Sequence, residues 1–378
     1  MKKKGFTLIE LLAVIVVLAI IALIATPIVM NTIKSAKKGA AEITTQNYIR
    51  AVEIAVATSG LNRKSIPSGS YSIDSDGNLI GTELPDGKLE IDVSGDKPTG
   101  GTIVIKDGQV TTDSKVMVGE YGVSYDETTK KYIAVRVYSN GEVVYFNVTT
   151  GEKCSNYTET QSNVGINSGC MKFYAFNDNG GNTVNLLLDH NTTALVAWNS
   201  SGSNTSGPKE VLDSLKASTA SWQGTETPSN YTMDQTGQTS NAKYTIDYSG
   251  YKARLITAQE VAMITGNTAW DEKVSANSNY YYFDTKKSQA SDTCKSGNIS
   301  GCAYGWLYDR TKPNCTTYGC LNNSDKSTLG YWASSSRAAN TTDAWGVRYN
   351  ANVLTFNADN VSNFGVRPVI TVLKSKLG

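Results

Sequence analysis

The strongest hydrophobic pattern of the chain lies in its first sixty residues. From Phe6 to Met30 the only charged residue is Glu10, and the run is 25 residues long. A helix of that length spans about 37 Å, whereas the hydrocarbon core of a bilayer is about 30 Å thick. The pattern therefore predicts a membrane-spanning helix over residues 6–30. The three lysines at positions 2–4 predict a cytoplasmic N-terminus.

Apolar residues continue beyond this run at roughly helical spacing. We expect the helix to extend past the membrane, to pack one face on the rest of the chain and to end near Gly60. Pro27 and Gly39 are its weak points, because a proline removes one backbone donor and kinks a helix. The apolar positions of the expected face are Ala36, Ala40, Ile43, Tyr48, Ile49, Val52 and Val56.

Residues 61–150 alternate short apolar runs with turn signals. Asp-Gly or Asn-Gly pairs, which favour hairpin turns, occur at Asp76-Gly77 and Asn140-Gly141 among other places. This pattern predicts an antiparallel sheet that follows the helix. The expected strands are Leu89–Val93, Thr102–Lys106, Lys115–Val118, Tyr132–Tyr138 and Glu142–Val148.

The remainder of the chain is too long to be part of one simple sheet. A polar segment at 151–163 is the expected linker, which gives a helix-and-sheet domain at 31–150 and a second domain at 164–378. The second domain has expected strands and helices in alternation, so the predicted fold class is α+β. The expected strands are Thr183–Leu188 and Leu195–Trp198, and the expected helices lie near Pro208–Ala217 and Thr257–Thr265.

The N-terminal residues carry a more specific signal. Three lysines, then Gly5-Phe6, and then Glu10 at the head of the apolar run resemble the class III signal of type IV pilins and pseudopilins. An ordinary signal peptide is the alternative, but no small-x-small cleavage site follows the apolar core cleanly. The resemblance implies cleavage after Gly5, which removes a leader at 1–5, and N-methylation of Phe6.

The same resemblance implies a long helix packed on an antiparallel sheet and a role for Glu10 in filament assembly. It implies a prepilin peptidase, the pilus assembly machinery and other pilin subunits as partners. The chain is then held in the membrane before assembly and lies in an extracellular surface pilus afterwards. The expected function is a type IV pilus subunit, and the alternative is a pseudopilin of a type II secretion or DNA-uptake system.

A second resemblance covers roughly the last half of the chain. Gly330-Tyr331-Trp332-Ala333-Ser334-Ser335, the later Ala344-Trp345-Gly346-Val347 and the closing Gly365-Val366-Arg367-Pro368-Val369-Ile370 resemble bacterial C-type-lectin-like domains, a fold shared with formylglycine-generating enzymes. The resemblance implies a C-type-lectin-like domain at 164–378, in which Trp332, Trp345 and Arg367 are core residues. A buried Arg367 guanidinium would need several acceptors.

Polar and aromatic residues around the Trp332 strand and the final strand form a candidate ligand surface. Asn and Asp side chains can bond sugar hydroxyls, and Tyr can stack on a sugar's apolar face, but the same side chains also suit a protein epitope. We therefore expect an adhesin-like minor pilin with a glycan or a host protein as ligand. A purely structural extra domain is the alternative. The candidate residues are Arg337, Asn340, Arg348, Tyr349, Asn350, Asn352, Asn357, Asp359, Asn360 and Asn363.

The six cysteines all lie in the distal part, and an even number in an exported chain predicts three disulfides. Spacing alone allows 15 pairings, and we expect the local ones: Cys154–Cys170, Cys294–Cys302 and Cys315–Cys320. No Cys-x-x-Cys is present and no histidine lies near the cysteines, so no zinc site is expected and no metal ligand is assigned. The asparagine-rich loops leave calcium binding an open alternative. The lone histidine, His190, is expected in a structural turn. Formylglycine-generating enzymes use paired cysteines, and Cys315 and Cys320 are the pair that such an activity would need. Because we expect these two to form a disulfide, we expect no enzymatic activity.

Composition narrows the partners further. The chain has 35 basic and 34 acidic residues, with a sequence pI near 7.5. This balance offers no basic surplus for nucleic acid, so no nucleic-acid partner is predicted. No sequence feature requires a cofactor.

Overall fold

The computed structural model describes residues 8–154, 169–192, 195–273, 280–284, 294, 301–308 and 329–377. Only the backbone is described at Glu10, Ile24, Pro27, Asn31, Tyr280 and Tyr281. The chain divides into two compact units, Met1–Val137 and Tyr138–Gly378, which we call the N-terminal unit and the C-terminal unit.

The N-terminal unit begins with one helix, α1, over Leu8–Leu61, which passes through Pro27 and Gly39 as a single element. An antiparallel sheet of eight strands follows it. The predicted long helix and sheet are thus both present. The strands are β1 (Gly69–Ile73), β2 (Leu79–Ile80), β3 (Lys88–Leu89), β4 (Gly100–Lys106), β5 (Gln109–Val110), β6 (Lys115–Val118), β7 (Tyr121–Asp126) and β8 (Lys131–Arg136).

The sheet has the order β3-β2-β1-β4-β6-β7-β8, with β5 paired to β4. Alternate residues of its strands face the second half of α1, as the period of two in a strand requires. In the core formed there, Tyr48 and Val52 of the helix pack with Tyr71, Ile103 and Val116 of the sheet, and all five are buried. Burial of this one helix face holds the N-terminal unit together.

In its described residues the C-terminal unit has two five-stranded sheets, a hairpin and two short α-helices. The first sheet has the order β10-β9-β11-β12-β20, and the second has the order β15-β18-β17-β16-β19. The elements are β9 (Val143–Asn147), β10 (Glu152–Lys153), β11 (Cys170–Phe176), β12 (Thr183–Leu188), α2 (Glu210–Thr219), β13 (Tyr231–Asp234), β14 (Lys243–Ile246), α3 (Ala258–Ile264), β15 (Tyr280–Tyr282), β16 (Gly330–Ser336), β17 (Asp343–Arg348), β18 (Asn352–Asn357), β19 (Phe364–Gly365) and β20 (Val369–Leu373).

The structure places the division of the chain earlier than the expected linker at 151–163. Strand β9 does not join the sheet of the N-terminal unit; it pairs with β11 from Cys170 to Tyr174. Its alternate residues Val144 and Phe146 enter the same core as Phe173. The reason is apolar burial across a long sequence separation, which a local turn signal at Asn140-Gly141 cannot reveal.

A second difference concerns the segment Leu195–Trp198, which was expected to be a strand and is irregular. Its backbone groups form hydrogen bonds with separate segments of the chain: the Val196 N–H donates to Phe364 O, and the Lys209 N–H donates to Trp198 O. The segment is apolar because Trp198 is fully buried, rather than because it belongs to a sheet. Burial alone does not distinguish a strand from a packed loop.

Candidate functional site

The first half of α1 is an apolar rod that nothing in the described chain covers. Every described Leu, Ile, Val and Met side chain from Leu8 to Ile33 is exposed, with Leu8 at 86% and Leu23 at 77%. This is the one helix in the described residues that is long and apolar enough to cross a membrane. Gly5 and Phe6 lie outside the described residues. Glu10 is described only as a backbone position within the first turns of α1.

The second half of α1 has two opposite faces. Thr45, Tyr48, Val52 and Val56 are buried against the sheet. The opposite side carries exposed apolar residues, namely Ile43 at 61%, Ile54 at 68% and Leu61 at 85%.

The predicted apolar face mixed these two sides of the helix. Ile43 is five residues from Tyr48, which at 3.6 residues per turn is about 140° around the axis. Ala36 and Ala40 are exposed as well, whereas Tyr48, Ile49, Val52 and Val56 are buried as expected. The prediction for Ala36, Ala40 and Ile43 was therefore wrong. Roughly helical spacing over twenty residues does not separate a buried face from an exposed apolar one.

The candidate ligand residues lie at two ends of the second sheet of the C-terminal unit. Strands β17 and β18 pair from Asp343–Asn357 at one end to Arg348–Asn352 at the other. Six strand residues separate the ends by about 17 Å. The structure therefore does not bring the predicted residues into one site. Arg337, Asn340, Asn357, Asp359 and Asn360 group with the first end, and Arg348, Tyr349, Asn350, Asn352 and Asn363 with the second.

At the first end, polar side chains mainly hold the turns. The Arg337 Nη1 donates to Asp343 Oδ2 at 3.0 Å, and both side chains are largely buried. The Asn340 Oδ1 accepts from the backbone N–H groups of Thr342 and Asp343. A residue that the sequence did not single out, Asn204, donates from Nδ2 to the carbonyls of Arg337, Asn340 and Asp343. These groups fix the turn between β16 and β17, and Asp359 and Asn357 remain exposed beside it.

At the second end, Arg348 lies between two rings, 5.4 Å from the Tyr349 centroid and 5.8 Å from the Phe356 centroid. The side-chain oxygens of Asn350 and Asn352 are buried and have no hydrogen-bond partner. A buried carbonyl without a donor is uncommon, and a buried water is the group that would satisfy such an oxygen. Among the described residues, Arg348 Nε at the same end is buried without a partner as well.

The motif residues Trp332, Trp345 and Arg367 are core residues, as the sequence analysis expected. Both tryptophans are fully buried, and Trp332 Nε1 donates to Val196 O at 2.7 Å. The Arg367 guanidinium is 1% exposed and donates to the backbone carbonyls of Leu188, Leu307 and Trp306. It also lies 5.1 Å from the centroid of the Tyr331 ring. Burial raises the pKa of Tyr331 to about 12, although the Arg367 charge works against that shift.

A buried acidic group was missed by the sequence analysis. Glu272 is 3% exposed and accepts hydrogen bonds from Tyr231 Oη at 2.7 Å, Ser335 Oγ at 2.5 Å and the Gln259 N–H at 2.8 Å. Burial raises the pKa of Glu272, and the three donors oppose that shift. Its carboxylate joins the hairpin strand β13, the start of α3 and β16. Trp270, two residues before Glu272, is the sequence signal that the segment around Glu272 packs against the core.

His190 is buried, with its Nδ1 3.9 Å from Asp189 Oδ2, and Asp189 accepts from Tyr174 Oη at 2.7 Å. It lies in a bend directly after β12. A hydrolytic triad requires a nucleophile bonded to the imidazole, and none is seen among the described residues.

The cysteine pairs observed are Cys154–Cys170 and Cys294–Cys302, with Cα–Cα distances of 5.8 Å and 6.0 Å. Both are pairings that the sequence analysis expected, and the third expected pair, Cys315–Cys320, lies outside the described residues. An Asp284 oxygen lies within 4.8 Å of the Cys294 and Cys302 sulfurs. Because these sulfurs are bonded to each other, they offer no thiolate to a metal. Asp284 accepts instead from the N–H groups of Ala303 and Tyr304.

Comparison with known proteins bears on the N-terminal segment. Residues 1–26 match the family model of the prokaryotic N-terminal methylation motif. No curated protein and no solved structure matched the chain. The matched segment holds Gly5, Phe6 and Glu10, and it covers most of the exposed apolar rod. The motif and the long apolar helix together support a type IV pilin-like protein.

Proposed function

We propose that this chain is a subunit of a type IV pilus, a minor pilin that displays its C-terminal unit at the cell surface as an adhesin-like domain. The observation that carries the proposal is the methylation motif at 1–26 joined to a helix with exposed apolar side chains from Leu8 to Ile33. Such a surface is stable in lipid or against other copies of itself, and not in water.

The apolar rod and Glu10 have different roles before assembly, in the membrane, and after assembly, in the filament. In the membrane the rod holds the subunit. In the filament its apolar surface is buried on neighbouring rods, and Glu10 neutralises the new N-terminal amine of Phe6 in an adjacent subunit. Two unit charges about 4 Å apart attract by about 4 kcal/mol at an effective dielectric constant of 20. That pair favours one axial register among the packed helices.

The adhesin-like role rests on the size and surface of the C-terminal unit. The unit runs from Tyr138 to Gly378 and has its own cores, whereas the N-terminal unit alone contains the helix and a covering sheet. A bulky extra unit would crowd a uniform shaft, so we place the subunit as a minor component. A glycan or a host protein is the proposed ligand.

Within that unit the two ends of the second sheet are separate candidate surfaces. The end with Arg348 and Tyr349 offers a partly exposed guanidinium that lies 5.4 Å from the centroid of a partly exposed ring. We propose this end as the ligand surface and a C-type-lectin-like fold for the unit. The burial of Trp332, Trp345 and Arg367 supports the fold, since these are the residues of the resemblance. We propose no enzymatic activity, with Cys315 and Cys320, the pair that such an activity would use, joined in a disulfide; both lie outside the described residues.

A pseudopilin of a secretion or DNA-uptake system is the second candidate, because the same methylation motif would serve it. Immunogold labelling of intact cells with an antibody to the C-terminal unit separates the two. Sparse label on extended surface filaments, at their ends or at intervals, is expected for a minor pilin. Label confined to the envelope would contradict it. Loss of binding of purified filaments to a glycan or host-matrix array in a strain lacking this subunit tests the ligand role.

A further inference from the structure

Among the described residues of the C-terminal unit, one lysine–carboxylate pair has two side chains that are almost completely buried. The Lys374 Nζ lies 2.6 Å from Asp178 Oδ1, and the side chains are 5% and 0% exposed. The other described lysine–carboxylate pairs are far more exposed; the lysine of the Lys243–Asp234 pair, for example, is 69% exposed. Burying two charges is costly, and the Coulomb attraction often fails to offset the cost.

Both partners are fixed by the backbone. Asp178 follows the end of β11, and its Oδ1 also accepts from the Gly180 N–H at 2.9 Å. Its Oδ2 accepts from the Tyr138 N–H at 2.8 Å. Lys374 directly follows β20, and its own N–H donates to Asn182 O at 2.8 Å. These bonds hold the backbone of both residues in place while the amine and the carboxyl group are in contact.

We propose that Lys374 and Asp178 condense into an intramolecular amide bond, which makes this pair a self-modification site. The inference is independent of the proposed function. A proton first passes from the ammonium to Asp178 Oδ1 across their hydrogen bond, which leaves a neutral amine and a neutral acid. The Nζ lone pair attacks Cγ and forms the N–C bond. Oδ1 leaves as water after taking one amine proton, so the reaction needs no oxidant and no co-reactant.

Burial favours the first step, because a low-dielectric site disfavours charged groups relative to neutral ones. Fixed geometry favours the second, since well-oriented groups react at effective concentrations of about 10⁵ M or more. Negative charge develops on Oδ2 during the attack, and the Tyr138 N–H already points at that atom. A preorganised backbone donor of this kind stabilises the tetrahedral intermediate.

The amide would join two places that are distant in sequence, beside a third that is held to Asp178 by a hydrogen bond. Tyr138 is the first residue of the C-terminal unit, Asp178 lies in the turn between β11 and β12, and Lys374 lies four residues before the end of the chain. A covalent link there would tie the turn between β11 and β12 to the end of β20, which is the strand paired with β12.

The test is the mass of the full chain purified from its own cells, with its cysteines reduced and alkylated. The amide lowers the mass by about 18 Da relative to the sequence after N-terminal processing, because one water is lost. Trypsin cannot cut after an acylated Lys374, so the digest is expected to contain one branched species that joins the peptide of Asp178 to that of Lys374.

Lys374→Arg is the matched variant, because arginine keeps the charge but does not form this amide. Its measured mass should equal the mass calculated for its own sequence, with no water lost, and trypsin should release the Asp178 peptide as a linear species. A wild-type chain with the full calculated mass and a normal cut after Lys374 overturns the proposal and leaves an ion pair only. Because that result comes from the wild type, it holds whether or not the variant folds.

Discussion

At the scale of single residues, the buried guanidinium of Arg367 makes the sharpest prediction about stability. Arg367→Met would remove the guanidinium donors from the buried carbonyl oxygens of Leu188 and Leu307 and from the partly buried one of Trp306. Removing one partner of a buried charged group costs about 3–5 kcal/mol, so we expect the variant to lose about that much stability in the C-terminal unit.

The measurement is urea unfolding in detergent, followed by tryptophan fluorescence. All six tryptophans lie between residues 198 and 345, so the signal reports the C-terminal unit alone. Lys209→Met, which replaces an exposed cation in the same unit, is the control and should change the midpoint little. Equal midpoints for the two variants would show that Arg367 does not hold the core.

Asp234 gives a prediction about pH. Hydrogen bonds from Thr236 and Lys243 lower the pKa of Asp234 from 3.8 to about 2. Because the folded-state pKa is the lower one, the stabilisation is complete above pH 3.8 and is lost as the pH falls toward 2. Asp234→Asn should therefore be less stable than the wild type at neutral pH. In urea titrations at several pH values, that gap should close between about pH 4 and pH 2; a gap that stays constant would contradict the assignment.

The residue scale also shows what a sequence can and cannot reveal. The burial of Arg367 was predictable, because an arginine before Pro368 inside an apolar strand must find acceptors. The three carbonyls that it uses were not predictable, since they come from segments about 60 and 180 residues away. Glu272 escaped notice for the same reason: its partners Tyr231 and Ser335 meet only in the folded unit.

At the scale of elements, helix α3 depends on a capping box. The Thr257 Oγ1 accepts from the Glu260 N–H at 2.9 Å, and Glu260 Oε2 accepts from the Thr257 N–H at 2.9 Å. Thr257→Ala should destabilise the C-terminal unit by about 1 kcal/mol, whereas Thr257→Ser should keep most of the stability that the cap contributes. The same fluorescence titration measures both. If the serine variant loses as much as the alanine variant, the cap is not the cause.

Helix α1 makes a prediction about assembly rather than stability. Ile54 is 68% exposed on the side of the helix away from the sheet. Ile54→Asp should leave the fold of the subunit unchanged but reduce its amount in filaments several-fold, because it removes apolar surface from a face expected to meet other subunits.

Quantitative blotting of sheared filaments against whole cells measures this ratio. Asn47→Asp is the control, since it adds the same charge at an exposed polar position of the same helix. Normal incorporation of Ile54→Asp would mean that this face is not an assembly surface.

Element boundaries were predictable where the pattern was local. The helix, expected to end near Gly60, runs over Leu8–Leu61, and Lys115–Val118 and Thr183–Leu188 are strands with the expected bounds. The assignment of β9 to a sheet was not predictable, because its partner β11 follows more than twenty residues later. Strand pairing across such distances depends on which core the side chains enter, and local turn signals do not indicate which core that is.

At the scale of the whole molecule, the chain combines an N-terminal unit, which carries the apolar helix, with a C-terminal unit that is about a hundred residues longer. The N-terminal signal was specific because it couples a cleavage site, a single acid and an apolar run in fixed order. The ligand surface was not predictable to the same degree: polar residues close in sequence separate to two ends of one sheet when alternate strands reverse direction.

The most direct test of this account is the N-terminal mass of the protein recovered from sheared surface filaments. We predict a chain that begins at Phe6, with a methylated amine and without residues 1–5. A filament-borne chain that still begins at Met1 would contradict the account, and so would a trimmed chain found only in the membrane.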